Sequence, residues 1–293
     1  MAALNRDIDL GWSQPEQGPS YRAWHRFLRN RLSLMGLIIV VFLILIAILA
    51  PIIAPYSPLA GHFSQAYQPP STQHWLGTDE LGRDVLSRII YGTRGSLGAG
   101  VLIVVLGVVV GVPIGLVSGF YGGVLDEVLM RLVDAALAFP PLVLALAIAW
   151  ILGPSLLRAV MAIGAVTIPQ FARITRGQVL SVRSNEYVEA ACCLGASPWR
   201  IMMKHTLLNS ATPIIVVATL NIGTAILSVA SLSFLGLGPP PPQPNWGSML
   251  QTGSQYLTMA PWISLFPGMA IFLAVLGFST LGDGLRDVFD PKQ

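Results

Sequence analysis

Residues Ser33 to Ala54 form an unbroken apolar run without a charged side chain. As a helix rising ~1.5 Å per residue, that run is about 33 Å long, enough to cross the hydrocarbon core of a bilayer. Five further runs follow near Ser96–Phe120, Ala135–Leu152, Leu156–Ala172, Ala211–Leu235 and Trp262–Leu281. Inside lipid every backbone polar group must be satisfied by the protein itself, and apolar runs of this length achieve that as helices. The fourth run is short and carries Arg158 near one end, where a long side chain can snorkel to the interface. The expectation is an all-α, polytopic membrane protein with six transmembrane helices.

Charge agrees with this. Only 11% of the residues are charged, whereas a soluble domain averages about 25% because its surface faces water. The net charge of +3 and pI near 9.1 do not mark a nucleic-acid binder, because the basic residues sit in short segments between apolar runs. With the N-terminus inside, thirteen of the 17 Lys and Arg lie in cytoplasmic segments. These are Arg6, Arg22, Arg26, Arg29, Arg31, Arg131, Arg173, Arg176, Arg183, Arg200, Lys204, Arg286 and Lys292. Arg83, Arg88, Arg94 and Arg158 remain outside. That bias orients both termini to the cytoplasm, and Trp24, Trp150 and Trp262 fall near span ends as an aromatic belt would. The polar tail 1–32 is far longer than the charged start of a signal peptide, so the first run reads as an uncleaved signal anchor.

The spans constrain mechanism as well. None carries Asp, Glu, Lys, Arg or His in its central part, whereas ion-coupled carriers usually need such groups as relays. Backbone carbonyls can serve sodium, which keeps an ion-coupled carrier as a rival reading. A nucleotide-binding P-loop needs a glycine-rich turn ending in Lys-Ser or Lys-Thr, and neither Lys204 nor Lys292 stands in one. If ATP drives transport, another chain must hydrolyse it. A membrane-embedded enzyme would cluster catalytic polar residues at one depth. Asn221, Thr224 and Ser228 in the fifth span read instead as scattered groups for packing or a pore lining. Cys192 and Cys193 are adjacent, a poor geometry for a mutual disulfide, and are expected as free thiols. His62 and His74 have no ligand constellation around them, so neither a metal site nor a catalytic site is expected.

Gly107, Gly111, Gly115 and Gly119 recur every fourth residue, on one helical stripe where a neighbouring backbone can approach closely. Packing within the chain is the preferred reading over a seam between subunits. Pro113 in the second span and Phe139-Pro140-Pro141 in the third should bend or break their helices. Such backbone is tolerated at membrane depth only against protein or a watery cavity.

Between the fourth and fifth spans, Ser184 is expected to cap a short helix with Glu186 in its first turn. Gly195 suits the left-handed stop, and Ser197-Pro198 restarts a helix. The product is a cytoplasmic two-helix elbow, either a lever for a partner or an amphipathic helix on the bilayer. Outside, Leu81, Val85, Leu86, Ile89 and Ile90 form an apolar stripe opposite Asp79, Arg83, Asp84, Ser87 and Arg88. Asp79–Arg83 and Asp84–Arg88 are spaced as helical pairs, which predicts a helix on the outer membrane surface. Its charges either solvate it or contact a soluble partner. Asn245-Trp246 in the other external loop is a similar candidate.

Glu189-Ala190-Ala191, followed after three residues by Gly195, resembles the signature of permease subunits of ATP-binding-cassette importers. His74 to Arg88, and Phe234-Leu235-Gly236-Leu237-Gly238-Pro239 running on to Asn245-Trp246-Gly247, resemble the dipeptide, oligopeptide and nickel branch. Together these ordered motifs cover roughly Leu32 to Pro291. The chain departs from the family's frequent His-Ile-Leu-Pro-Asn with His205-Thr206-Leu207-Leu208-Asn209, and has Cys192 and Cys193 where Arg and Ala are frequent. The resemblance implies a type I importer permease in the bacterial inner membrane. A tail (1–32) would precede a permease domain (33–290) comprising a first span (33–54), an external loop with a surface helix (55–95) and a five-helix core (96–282). It implies a coupling loop (184–206) in which Glu186, Glu189, Ala190, Ala191, Gly195, Ser197 and Pro198 engage an ATPase. It also implies a homologous second permease, two cytoplasmic ATPases that use ATP and Mg, and an external substrate-binding protein. Asp79, Glu80, Arg83, Asp84, Asn245 and Trp246 are candidates to contact that binding protein. The chain itself would bind no cofactor. The implied cargo is a short peptide, with nickel, glutathione or another small solute as alternatives.

Overall fold

The computed structural model describes residues 30–289. The expectations for Arg6, Arg22, Trp24, Arg26, Arg29 and Lys292 lie outside the described residues. Nine helices are described: α1 (Arg31–Ile53), α2 (Val85–Tyr121), α3 (Gly123–Leu137), α4 (Pro141–Leu152), α5 (Leu156–Arg183), α6 (Glu186–Cys193), α7 (Pro198–Phe234), α8 (Trp246–Ser254) and α9 (Trp262–Phe289). Among the described residues the extended pairing is a single bridge, Thr78 to Asp84.

Five helices are long and apolar enough to cross a membrane, and α3 with α4, bent by 87° at their break, makes a sixth when the pair is counted as one broken span. The break falls at Phe139-Pro140-Pro141, where two successive prolines offer no N–H to continue the helix. The third span read as Ala135–Leu152 is thus two pieces, because α4 alone, at about 18 Å, is too short for the hydrocarbon core. Pro113, by contrast, does not break α2, which runs unbroken for 37 residues.

α2 packs along α5, and the glycine stripe is the reason. A Cβ on Gly111 would lie 2.5 Å from the Ile168 carbonyl, and one on Gly107 2.7 Å from the Phe171 ring. The stripe is an internal seam, as the sequence suggested. α5 extends eleven residues beyond the expected end at Ala172 because its polar turns are paired. Arg176 binds Asp126 of α3 through both carboxylate oxygens at 2.6 Å, and Arg173 pairs with Asp134. α1 is capped by Asn30, whose Oδ1 accepts from the Leu32 and Ser33 amides at 3.0 and 3.5 Å. It lies on α9, where Gly36 meets the backbone of Gly277 and Leu281. α7 starts at the elbow with a π-helical stretch, Ile201–Leu207, well before its expected start at Ala211.

The outer surface helix is not observed as such. Residues 78–84 form a turn, and helix begins at Val85, continuous with the second crossing. Asp79 Oδ1 accepts the amides of Leu81 and Arg83, both at 2.9 Å, which draws the chain into a local turn. Gly82 sits at φ +69°, a left-handed conformation that ends any helix there. Asp84 then caps α2.

Candidate functional site

The cytoplasmic elbow is built by local signals. Asn185, rather than Ser184, occupies the cap position of α6; Ser184 closes α5 and donates its hydroxyl to the Ser181 carbonyl at 2.9 Å. Glu186 and Glu189 both lie in the first turn of α6, where the helix dipole favours a carboxylate. Gly195 stops the helix at φ +78°, with the Gly195 and Ala196 amides donating to the Cys192 and Ala191 carbonyls at 2.9 and 3.1 Å. Ser197 accepts the Arg200 amide at 3.4 Å and Pro198 takes the first helical position of α7.

Val188 anchors the elbow, being 3% exposed, while Glu186, Glu189, Ala190, Gly195, Ser197 and Pro198 are exposed and Ala191 is half-buried. Leu194 and Trp199 flank the kink at 88% and 65% exposure. A helix–kink–helix held by one buried valine thus leaves two large apolar side chains bare beside acidic groups. Both cysteines are free and exposed on it.

The external candidates form a second cluster of a different kind. Asp79, Arg83, Asp84, Asn245 and Trp246 are all buried, and Glu80 is half-buried. Arg83 donates to Asp79 at 2.6 Å and to Glu80 at 2.7 Å, while Arg88 lies 3.4 Å from Asp79 rather than pairing with Asp84. Arg88 also donates to the Pro58 carbonyl at 3.1 Å. Asp84 Oδ1 is 2.9 Å from His74 Nδ1, and its Oδ2 accepts both the amide and the hydroxyl of Ser87 at 2.8 and 2.7 Å. Asn245 caps α8, accepting the Gly247 amide at 3.0 Å, and the Trp246 indole donates to the Ile89 carbonyl at 3.1 Å. Burial, and then the charge of Asp79, hold the Glu80 carboxyl above its ordinary range. These side chains therefore tie the two external loops to the start of α2. They are spent within the chain, which corrects the picture of an open charged face.

The sequence reading missed α8, although Asn245 before Trp246-Gly247-Ser248 is a capping signal. Among the described residues no group of three His, Cys, Asp or Glu side chains is placed to hold a metal ion.

Residues 111–293 match the family described as binding-protein-dependent transport system inner membrane component, and residues 18–70 match the N-terminal TM domain of oligopeptide transport permease C. The chain is 47% identical to the dipeptide transport system permease protein DppC of Alkalihalophilus pseudofirmus, over 94% of this chain and 90% of that one. It is 45% identical to the glutathione transport system permease protein GsiD of Shigella flexneri serotype 5b, over 94% and 91%. Its fold is similar to a chain of the MetNI methionine ABC transporter in an inward-facing conformation, with a TM-score of 0.59, 18% identity, and coverage of 70% of this chain and 98% of that one.

Proposed function

This chain belongs to the binding-protein-dependent transport system inner membrane components, multi-pass permease subunits of ABC importers with the type I fold, and from that premise we propose that it forms half of a peptide pathway driven by partner ATPases. The observation that carries the proposal is the elbow, whose exposed Glu189 face, Leu194 and Trp199 have no partner among the described residues. One ATPase seats on Glu186, Glu189, Ala190, Ala191, Gly195, Ser197 and Pro198. A homologous permease supplies the other half of the pathway and receives the second ATPase.

The chain does no covalent chemistry in this reading. ATP and Mg belong to the ATPases, whose closure moves α6 and, through the kink, the start of α7. An external binding protein delivers the cargo onto the loops that Asp79, Arg83, Asp84, Asn245 and Trp246 hold in shape, with Glu80 half-buried among them.

The cargo is a short peptide. The relatives named for dipeptide and for glutathione transport support this class, glutathione itself being a small peptide. The test is a mild-detergent pull-down of the tagged chain expressed with its genomic neighbours, followed by an ATPase assay. Co-purification of two ATPases and a second permease, with hydrolysis raised by peptide-loaded binding protein, is expected. Uptake by the lone chain under an ion gradient without ATP would overturn the reading.

A further inference from the structure

A cavity of about 320 Å³ lies beside the break in the third crossing, lined by Pro141 of α4, Thr167 and Gln170 of α5, and Asn221, Thr224 and Ser228 of α7, with apolar neighbours between them. Asn221, Thr224 and Ser228 are spaced three and four apart, which places them on one face of α7. Asn221 is thirteen residues from either end of the stretch Leu208–Phe234, about 20 Å along the axis, and so lies deep in the crossing. The fold sets this stripe opposite Gln170.

The hydrogen bonds define what the lining can still do. Thr224 donates to the Asn221 carbonyl at 2.9 Å, Ser228 to the Thr224 carbonyl at 2.8 Å, and Asn221 Nδ2 to the Val217 carbonyl at 2.9 Å. Each hydroxyl proton is used on its own helix, leaving the oxygen lone pairs and Asn221 Oδ1 as acceptors. Self-bonded Ser and Thr in a membrane helix can serve packing alone. Gln170 goes beyond packing, because its amide makes no side-chain hydrogen bond among the described residues and keeps two donors and an acceptor on the half-buried cavity wall. A polar amide at this depth needs either water or cargo in the cavity to answer it.

We propose that Gln170, Asn221, Thr224 and Ser228 contact the cargo within the membrane, as a site for the main-chain amides of a short peptide. The inference rests on the importer reading above and names the chemistry of its pathway. A peptide backbone alternates N–H donors with C=O acceptors, matching acceptors on α7 and the amide of Gln170. No charged side chain lines the cavity, so this stretch grips what all peptides share and is indifferent to the charge of their side chains. A charge placed in the lining would end that indifference, since Coulomb interactions are strong away from bulk water.

The test uses the complete importer reconstituted in vesicles with its binding protein, and compares uptake of a lysine-containing and a glutamate-containing dipeptide. Asn221→Asp is expected to shift the lysine-to-glutamate uptake ratio about tenfold towards lysine relative to the unaltered importer, while binding-protein-stimulated ATP hydrolysis persists. Gln170→Leu is expected to slow both dipeptides alike by about tenfold, again with hydrolysis retained. An assembled, ATP-hydrolysing Asn221→Asp importer with an unchanged ratio overturns the inference and leaves the importer reading intact. Should that variant fail to assemble, Thr224→Cys gives a second readout: maleimide labelling at position 224, followed by mass spectrometry, slows when peptide is transported. Labelling indifferent to transported peptide overturns the inference too. Failure of the unaltered importer to take up any peptide overturns instead the reading on which it rests.

Discussion

His74 Nδ1 lies 2.9 Å from one oxygen of Asp84, while the other oxygen of the same carboxylate caps α2 through the amide and hydroxyl of Ser87. One buried side chain thus joins the external loop to the start of the second crossing. Asp84→Ala loses the helix cap and leaves His74 without its partner. The expected cost is about 2 kcal/mol or more, read as a lower thermal midpoint of the detergent-purified chain. Asp84→Asn keeps an acceptor for the cap and is expected to lose about half as much. Equal losses for the two variants would show that the cap contributes nothing.

The seam between α2 and α5 makes a steric prediction. A side chain at Gly111 meets the Ile168 carbonyl, backbone that cannot swing aside, whereas a Cβ at Gly98 meets nothing within 4 Å. Gly111→Leu is expected to abolish recovery of monodisperse protein in size-exclusion chromatography. Gly98→Ala should leave it unchanged, and both glycines lie on the same helix, so helix propensity cannot account for the contrast.

The six crossings were legible in the sequence because apolar runs of membrane length admit little besides helix. Their ends were less so. Asp79 and Arg83 are four apart, a spacing that fits a helical pair, yet the same carboxylate also closes a turn over Leu81 and Arg83, and Gly82 settles the choice. Spacing alone does not distinguish the two, and the charges expected at a surface became a buried clasp. Pro140-Pro141 announced a break, but neither its 87° angle nor the tie of α3 to α5, through Asp126 and Asp134 binding Arg176 and Arg173, could be read from neighbours in the chain. The elbow was read almost entirely from neighbours in the chain, since Gly195, Ser197 and Pro198 act within one turn. The grouping of Gln170 with Asn221, Thr224 and Ser228 was not legible, because it requires knowing which faces of α5 and α7 meet.

Glu80 supplies a pH dependence. Its carboxyl is held above the ordinary glutamate value, first by burial and next by the charge of Asp79. A raised acid pKa means that the folded chain binds this proton more tightly than the unfolded chain does. Glu80 therefore contributes more stability as pH falls through its raised value, levelling off below the unfolded value near ~4.3. Glu80→Gln cannot titrate. The thermal midpoint of the variant minus that of the unaltered chain is expected to decrease as pH is lowered across this window. A difference that grows on acidification would mean that the ion pair with Arg83, at 2.7 Å, outweighs desolvation.

The elbow separates docking from folding. Glu189 is exposed and makes no side-chain hydrogen bond or ion pair among the described residues, so Glu189→Lys forfeits only the dipole's preference for a carboxylate and should lower the thermal midpoint of the isolated chain slightly. Reversing its charge on the face proposed to meet the ATPase should nonetheless reduce co-purification of that subunit by about tenfold or more. Gly195 acts through its backbone, since a Cβ there meets nothing within 4 Å but must be carried at φ +78°. Gly195→Val therefore costs about 1–2 kcal/mol locally and tilts α6 against α7, whereas Gly195→Asn tolerates the left-handed conformation better. The expected order of ATPase recovery is unaltered chain, then Gly195→Asn, then Gly195→Val, measured in the same pull-down. Recovery that follows side-chain volume instead, with asparagine and valine equally impaired, would place the contact at residue 195 itself rather than in the angle it sets.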